Sequence, residues 1–230
     1  MCGRYLLAER PSRIYKRYNI ELPSKNKQPK FEPSYNIAPG FLVPVITRNP
    51  PNRLGIMKWG LIPHWTKNPK ISNRLINARA ETISIKPSFR TSFKNKRCLI
   101  PATGFYEWQN SPHGKLPYLI RKCSGEVFSF AGIYDVWKDV EEKEFKTFSV
   151  ITTEANKLLQ PVHNRMPVIL NKESEDLWLN NSTSPEILKK LLFSQDNGNL
   201  EMHTVSNQIN NTRNQGSKLT KRVSYDKIGN

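Results

Sequence analysis

The chain has 230 residues, of which 37% are hydrophobic and 10% aromatic, enough for the core of one ordinary domain or two small ones. Its formal net charge of +17 favours a polyanionic partner, with nucleic acid ahead of a membrane surface because no long basic amphipathic helix is evident. General solubility is the alternative explanation. No apolar run approaches the ~20 residues of a membrane span, and the basic N-terminal segment lacks the apolar stretch of a signal peptide. We therefore expect a cytoplasmic protein.

The cysteines argue against a disulfide framework and against a zinc site. The three of them, Cys2, Cys98 and Cys123, are odd in number, widely separated and form no CxxC pair. The sequence also lacks the GxGxxG, P-loop, GxSxG and HExxH motifs that accompany common cofactor and metal mechanisms. We therefore expect no cofactor and no metal, and chemistry carried by side chains alone.

The first part of the chain is predicted to hold one short helix, a loop and two strands. Residues 9–18 are typical of a surface helix, and the Lys- and Pro-rich run 23–34 indicates a loop. Runs rich in β-forming residues follow at 42–47 and 54–59, and a turn-rich stretch comes after them.

Strands dominate from residue 97 onward, and their spacing predicts a mainly antiparallel, curved or barrel-like sheet. The predicted strands are 97–100, 104–108, 117–121, 127–137 with a break at Gly132, 145–152, 166–170 and 200–205. Helices are predicted at 153–160 and 173–180, and a third is expected to begin after Ser184 as its N-cap.

These elements predict an α+β fold in which short helices flank the sheet. No linker or repeat divides residues 1–215, which we interpret as one domain. The segment 216–230 is basic and poor in apolar residues, so we expect a flexible or loosely attached tail.

Cys2 is the first candidate for chemistry, because Met1 is normally removed when the next side chain is small. Removal would leave a cysteine with a free α-amine and a thiol on adjacent carbons. Such a 1,2-aminothiol reacts with an aldehyde, because the amine forms an imine and the thiol then adds to it, closing a five-membered thiazolidine. The alternative is that position 2 is simply a small residue that permits Met1 removal.

Three further segments place polar side chains beside predicted strands. Glu107 lies in the aromatic run 104–108, where burial would raise its pKa and suit it to proton transfer; strand alternation leaves an exposed carboxylate equally open. His163 precedes a strand, a position where sites are common, although packing is the alternative. Asn77 and Arg79 would share a face of an extended segment, offering an amide for a sugar oxygen and a guanidinium for phosphate.

Ordered motifs along most of the chain resemble the SOS response-associated peptidase (SRAP) family, whose members covalently capture abasic sites in single-stranded DNA. The motifs are Met1-Cys2-Gly3-Arg4, Tyr35-Asn36-Ile37-Ala38-Pro39, Lys58-Trp59-Gly60-Leu61-Ile62-Pro63-His64-Trp65, Asn77-Ala78-Arg79-Ala80-Glu81-Thr82, Cys98-Leu99-Ile100-Pro101-Ala102, Gly104-Phe105-Tyr106-Glu107-Trp108, Phe130-Ala131-Gly132, Thr152-Thr153-Glu154-Ala155-Asn156 and His163-Asn164-Arg165-Met166-Pro167. The loop 23–34 and the basic tail depart from the family pattern.

The resemblance implies a role for each matching residue. Cys2 matches the crosslinking nucleophile, and the matching active-site residues are Asn77, Glu107 and His163. Positions expected near DNA phosphates are Arg4, Arg79 and Arg165, and those expected against bases are Pro39 and Trp65, with Thr152 a weaker candidate.

The resemblance also implies single-stranded DNA containing abasic sites as the partner of a monomeric protein that is nucleoid-associated when bound. It implies no membrane partner and no cofactor.

Three functions therefore remain open. The first is covalent capture of abasic sites through Cys2. The second is an N-terminal-nucleophile cysteine peptidase, in which Glu107 and His163 would assist amide hydrolysis and at least the removal of Met1. The third is a non-catalytic single-strand binder that relies on charge and stacking aromatics.

Overall fold

Two β-sheets organise the residues that the computed structural model describes, which are 2–21, 29–48, 51–112, 114–193 and 199–225. The described strands are β1 (Tyr5–Leu7), β2 (Ser34–Ile37), β3 (Leu42–Arg48), β4 (Asn52–Trp59), β5 (Asn77–Arg79), β6 (Arg97–Ala102), β7 (Gly104–Ser111), β8 (Gly114–Lys122), β9 (Phe128–Lys138), β10 (Glu144–Glu154), β11 (Arg165–Pro167), β12 (Ile169–Leu170) and β13 (Leu200–Thr204). The described α-helices are α1 (Pro11–Arg17), α2 (Arg90–Asn95), α3 (Lys172–Leu179) and α4 (Pro185–Phe193). The predicted α+β class is confirmed.

The larger sheet closes into a barrel of five strands in the order β10-β4-β3-β6-β9, because β9 also pairs with β10. These pairings are antiparallel except that of β10 with β4. Aromatic side chains fill the core. Trp59 stacks on Phe148 with ring centroids 6.3 Å apart, and Tyr5 of β1 meets Trp59 edge-on at 5.3 Å. The barrel-like sheet predicted from strand spacing is therefore present.

The smaller sheet has the order β13-β8-β7-β1-β2, and its two faces pack against different cores. Phe105 of β7 points into the main core. On the opposite face, Tyr106 packs in a second apolar cluster with Leu6 and Leu219. The strand β7 is therefore covered on both faces at its centre, and strand alternation places Glu107 on the same face as Phe105.

The helix starts follow local capping chemistry. The Asn171 side chain accepts a hydrogen bond from Ser174 N at 2.8 Å at the start of α3, and the Ser184 hydroxyl accepts one from Ile187 N at 3.4 Å at the start of α4. Pro185 follows Ser184 as the first helical residue, where its missing N–H costs nothing. Both of these helices were predicted from the sequence.

The predicted break at Gly132 is wrong, because β9 runs unbroken through it. A Cβ at this position would lie 2.1 Å from Ile100 Cδ1 and 3.0 Å from Cys98 Sγ. The glycine therefore permits close packing of β6 against β9 rather than ending a strand.

The predicted helix at 153–160 is also wrong. β10 continues to Glu154, which pairs with Arg165 of β11, and turns follow over residues 157–162. Pairing with β11 holds this part of the segment extended, so tertiary context overrides its helical propensity.

The tail and the long loop were predicted to be irregular. Residues 217–220 instead form a 3-10 helix whose Leu219 is buried, and Tyr225 donates a hydrogen bond to Val205 O at 2.6 Å. This part of the tail is packed, unlike the expectation, because its few apolar side chains cover β7. Residues 226–230 and 23–28 lie outside the described residues, and 29–33 are irregular as predicted.

Candidate active site

Cys2 and Asn77 are joined by a direct hydrogen bond. Asn77 Nδ2 donates to the Cys2 carbonyl oxygen at 2.8 Å, which brings the first residue of β5 beside the entry to β1. The Cys2 side chain is fully buried, and its thiol lies 3.9 Å from Arg4 O. Asn77 Oδ1 is buried and accepts no hydrogen bond from the part of the chain that the structure describes. A buried acceptor without a donor is costly, so this amide oxygen favours a ligand that brings one.

Glu107 lies next to this pair because β1 and β7 are antiparallel neighbours, with Tyr106 N donating to Arg4 O at 2.9 Å. Glu107 is only 2% exposed, so the alternative of a water-facing strand glutamate is wrong. Burial raises the pKa of Glu107 to about 7, which keeps a large share of the carboxyl protonated at neutral pH.

The Cys2 thiol is held in its neutral form by the same surroundings. Burial, together with the negative charge of Glu107, raises its pKa well above the ordinary value. A neutral thiol is a weak nucleophile, so any reaction here needs a base to take its proton. Glu107 is close enough to influence the thiol electrostatically and is the buried group suited to that transfer.

His163 faces this site from the turn that precedes β11. Its Nδ1 accepts a hydrogen bond from Arg165 N at 2.9 Å, so the neutral ring carries its proton on Nε2. Burial, with nearby positive charge, lowers the pKa of His163. The ring is therefore mainly neutral at physiological pH, with a fixed tautomer.

Two cavities meet at His163. One of about 740 Å³ is bordered by Glu107, Trp108, Asn110, Lys115, Gln160, Val162, His163, Asn164 and Asn210. The other, of about 660 Å³, is bordered by Arg79, Glu154, Ala155, Gln160, His163, Asn164 and Arg165. Since Gln160, His163 and Asn164 line both, the two cavities adjoin, and we refer to them together as the groove; one borders the buried carboxyl of Glu107 and the other borders the exposed Arg79.

The three candidate phosphate contacts differ in how they are held. Arg4 donates from Nη1 to Asn36 Oδ1 and to Ile209 O, both at 2.6 Å, and its guanidinium lies 5.8 Å from the Trp108 ring centroid. The Arg79 side chain is exposed and makes no hydrogen bond or ion pair with another described residue. Arg4 therefore holds the wall of the groove together, and Arg79 is open to a ligand.

Arg165 is the third of these arginines, and it is engaged on two sides. It binds both carboxylate oxygens of Glu81, at 2.6 and 3.0 Å, and donates to Thr152 O at 2.6 Å. Glu81 was quoted within a motif but not singled out as a functional residue, because its partner is distant in the sequence.

The candidate base contacts also differ in exposure. The Trp65 side chain is 53% exposed, and Pro39 is exposed in the turn after β2. Thr152 is fully buried in β10, and its carbonyl accepts from Ala80 N at 2.9 Å. Trp65 and Pro39 are thus surface groups, and Thr152 is a buried framework residue of β10.

Sequence reasoning missed several residues that line the groove. Gln160 and Asn164 border both cavities, and Trp108 borders the larger one, where its indole N–H donates to Asn210 Oδ1 at 2.9 Å. Asn164 and Trp108 both stand in quoted motifs, next to His163 and Glu107, and that proximity was the available signal.

Two kinds of feature are absent from the described ranges. No group of three or more His, Cys, Asp or Glu side chains there is arranged to hold a metal ion. No helix among the same residues is long and apolar enough to cross a membrane.

Two solved structures share the fold of this chain. A crystal structure of a protein from Bacteroides thetaiotaomicron superposes with a TM-score of 0.88 and 31% identity, covering 97% of this chain and all of that one. A crystal structure of a phage-related protein from Bordetella bronchiseptica gives a TM-score of 0.69 and 27% identity, covering 89% of this chain and 94% of that one.

The family follows from the sequence comparison. The family model described as SOS response associated peptidase (SRAP) matches residues 1–212, and the chain belongs to this family. The resemblance first seen in the motifs is thus confirmed.

Proteins named for abasic site processing are similar to this chain over most of its length. The abasic site processing protein YoqW of Bacillus subtilis is 42% identical over 95% of this chain and 98% of its own length. The abasic site processing protein HMCES of Xenopus tropicalis is 32% identical over 80% of this chain and 64% of its own length.

Proposed function

We propose that this protein processes abasic sites in DNA by capturing them covalently through Cys2, with single-stranded DNA as the substrate. Relatives that share nearly its whole length are named abasic site processing proteins, which supports the substrate class. The geometry around Cys2 supports the chemistry.

One observation carries the proposal: the Asn77 amide holds Cys2 on one side and has an unused acceptor on the other. Its Nδ2 binds the Cys2 carbonyl at 2.8 Å, and its buried Oδ1 has no donor among the described residues. A deoxyribose hydroxyl is a donor of the right size for that oxygen. An abasic sugar bound there would lie beside the residue that attacks it, with the Glu107 carboxyl next to both.

The reaction begins with loss of Met1, since the nitrogen of Cys2 is otherwise an unreactive amide. An abasic sugar is mostly a closed hemiacetal, so the C1′ hydroxyl must lose a proton while O4′ gains one and the C1′–O4′ bond breaks. The Cys2 amine then adds to the C1′ aldehyde and water leaves, giving an imine. Finally the thiol sulfur bonds to C1′ and its proton moves to nitrogen, which closes the thiazolidine with one water released overall.

Glu107 and His163 supply the proton transfers. A carboxyl with a pKa of about 7 can both give and take a proton near neutrality, so Glu107 serves ring opening and removal of the thiol proton. The neutral His163 ring carries N–H on Nε2, because Nδ1 is occupied by Arg165 N. That N–H is suited to support the sugar oxygen as it leaves C1′.

The DNA strand would follow the groove formed by the two cavities. The net charge of +17 attracts phosphates, Arg79 offers an open guanidinium in the groove, and the exposed Trp65 offers a stacking surface for a base.

A second candidate is peptide-bond hydrolysis confined to the Met1–Cys2 bond. The family description names a peptidase, and the buried Glu107 lies close enough to Cys2 to affect its thiol. Hydrolysis of this bond would prepare the capture reaction rather than replace it. Intact-mass measurement of Glu107→Gln tests it: retained Met1 supports self-processing, and complete removal indicates that another enzyme does the work.

The experiment that tests the proposal is a denaturing gel after incubation with an oligonucleotide that carries one abasic site. The wild type is expected to give a heat-stable adduct, and Cys2→Ser none. Cys123→Ser is the matched control, since that cysteine is exposed and remote in sequence, and it should react like the wild type. An equal adduct from Cys2→Ser would contradict the proposal, and retarded mobility only on native gels would favour a non-catalytic binder.

A further inference from the structure

The Glu81–Arg165 ion pair joins the two segments that carry the candidate active site. Glu81 follows β5, the strand that holds Asn77, and Arg165 begins β11, directly after the turn that holds His163. The pair uses both carboxylate oxygens and both terminal guanidinium nitrogens, at 2.6 and 3.0 Å. Such bidentate pairs fix the orientation of both side chains more firmly than a single contact does.

The same guanidinium is also tied to the strand between those segments. β10 pairs in parallel with β5 and in antiparallel with β11, and Arg165 Nη2 donates to the Thr152 carbonyl of β10 at 2.6 Å. Only 12% of the Arg165 side chain is exposed, whereas Glu81 is 37% exposed. Arg165 is therefore built into the framework, with Glu81 as the outer group that keeps it there.

The backbone of Arg165 sets the chemistry of His163. Its N–H donates to His163 Nδ1 at 2.9 Å, and a backbone N–H cannot accept, so Nδ1 must stay without a proton while this bond lasts. The path from Glu81 to the imidazole thus has two contacts: a carboxylate that fixes a guanidinium, and the amide of that same arginine, which fixes the tautomer of the ring.

We propose that Glu81 is a positioning residue that holds Arg165 and thereby fixes His163 in the Nε2–H tautomer that the reaction uses. The inference rests on the proposed function only for the part played by His163 in capture. It also changes the role expected of Arg165. Its charge is matched by Glu81, so the pair as a whole adds little net attraction for phosphate, and Arg79 remains the open cation in this part of the groove.

Glu81→Gln is the direct test, because it keeps the size of the side chain and removes the charge that binds both guanidinium nitrogens. Glu154→Gln is the matched control. Glu154 is an exposed acid that borders the same cavity as Arg165, and it has no ion pair among the described residues. Both variants remove one negative charge near Arg165, and only the first breaks the ion pair that holds it.

Two measurements are made on wild type and both variants. The first is the ¹H–¹⁵N correlation spectrum of the histidine rings without DNA. The wild type and Glu154→Gln should show His163 as a single Nε2–H tautomer, and Glu81→Gln a mixture of the two tautomers. This spectrum is recorded without any reaction, so it tests the positioning role of Glu81 even if the protein captures no abasic DNA.

The second measurement separates binding from reaction. With an unreactive tetrahydrofuran analogue of the abasic site, Glu81→Gln should bind as well as Glu154→Gln or more tightly, because Arg165 is freed. With a reactive abasic strand it should crosslink at least tenfold more slowly than Glu154→Gln. An unchanged His163 tautomer in Glu81→Gln would overturn the role of Glu81. If the wild type forms the adduct, equal crosslinking rates of Glu81→Gln and Glu154→Gln would overturn it as well. Absence of any adduct from the wild type would instead overturn the proposed function.

Discussion

Replacing Glu107 by Gln is predicted to make the protein more stable at alkaline pH while nearly abolishing its reaction. In the folded chain the pKa of Glu107 is about 7, against an ordinary value near ~4.3. Ionising the buried carboxyl therefore costs about 4 kcal/mol more in the folded state than in the unfolded state. Gln has nearly the same shape and carries no such cost.

The sign of the effect follows from the proton count. Between pH ~4.3 and ~7 the unfolded chain has lost the Glu107 proton and the folded chain still holds it, so the free energy of unfolding falls as pH rises. The wild type should lose about 3 to 4 kcal/mol relative to the Gln variant across this window, and the difference should stay constant above pH ~8.

Urea unfolding at pH 4.5 and 8.5 measures this difference, and other titrating groups cancel because they are common to both proteins. Glu144→Gln, which changes an exposed glutamate of β10, is the control and should show no such divergence. Crosslinking by Glu107→Gln should fall by ~10²- to 10⁴-fold, as expected for loss of a general acid or base. Parallel stability curves for wild type and Glu107→Gln would refute the reasoning, because they would mean that the carboxyl is not buried in its neutral form.

Three further predictions concern the groove and the barrel. Arg79→Ala should reduce the slope of log single-strand affinity against log salt concentration by about 0.7. Arg165→Ala should reduce this slope by clearly less, since that arginine is already paired with Glu81, and equal reductions in the two variants would contradict this. Trp65→Ala should weaken binding by ~1 to 3 kcal/mol at an unchanged salt slope, measured by fluorescence titration at several salt concentrations. Gly132→Ala should lower the free energy of unfolding by ~1 to 3 kcal/mol, because its new methyl group would overlap Ile100. An unchanged urea midpoint would contradict this, because it would mean that the strand moves to make room for the methyl group.

The barrel could be predicted from sequence because its strands carry their own signal. Runs such as 97–100 and 145–152 are rich in residues that favour pleated, buried surfaces, and the observed strands β6 and β10 contain them. The prediction of a break at Gly132 was wrong for a physical reason. A glycine that bends a strand and a glycine that admits a neighbouring side chain look the same in sequence, and only the position of Ile100 distinguishes them.

The burial of Glu107 needed the structure, because alternation along one strand says nothing about what covers its second face. Glu107 shares a face of β7 with Phe105, which lies in the main core, whereas the segment around Leu219, which composition alone marked as a loose tail, covers the opposite face at Tyr106. A single apolar side chain in a polar segment is a weak signal until the surface that it covers is known.

The candidate site was predicted in part. Cys2 and Asn77 were singled out separately, and their hydrogen bond at 2.8 Å appears only when β5 is placed beside the entry to β1. The Glu81–Arg165 pair could not be inferred at all, because its members are 84 residues apart and each has many possible partners. Contacts of this kind depend on strand pairing, which local patterns do not determine.

The central claim is that Cys2 acts as an N-terminal aminothiol, and the intact mass of the DNA adduct tests it most directly. Protein whose N-terminus is verified as Cys2 is incubated with an abasic single strand, denatured without any reducing agent and weighed. A thiazolidine predicts the summed masses less one water, stable without borohydride, and no such product from protein that retains Met1 or carries a blocked N-terminus. A stable adduct from the blocked protein at the normal rate, or one from free Cys2 that survives only after borohydride reduction, would contradict the account.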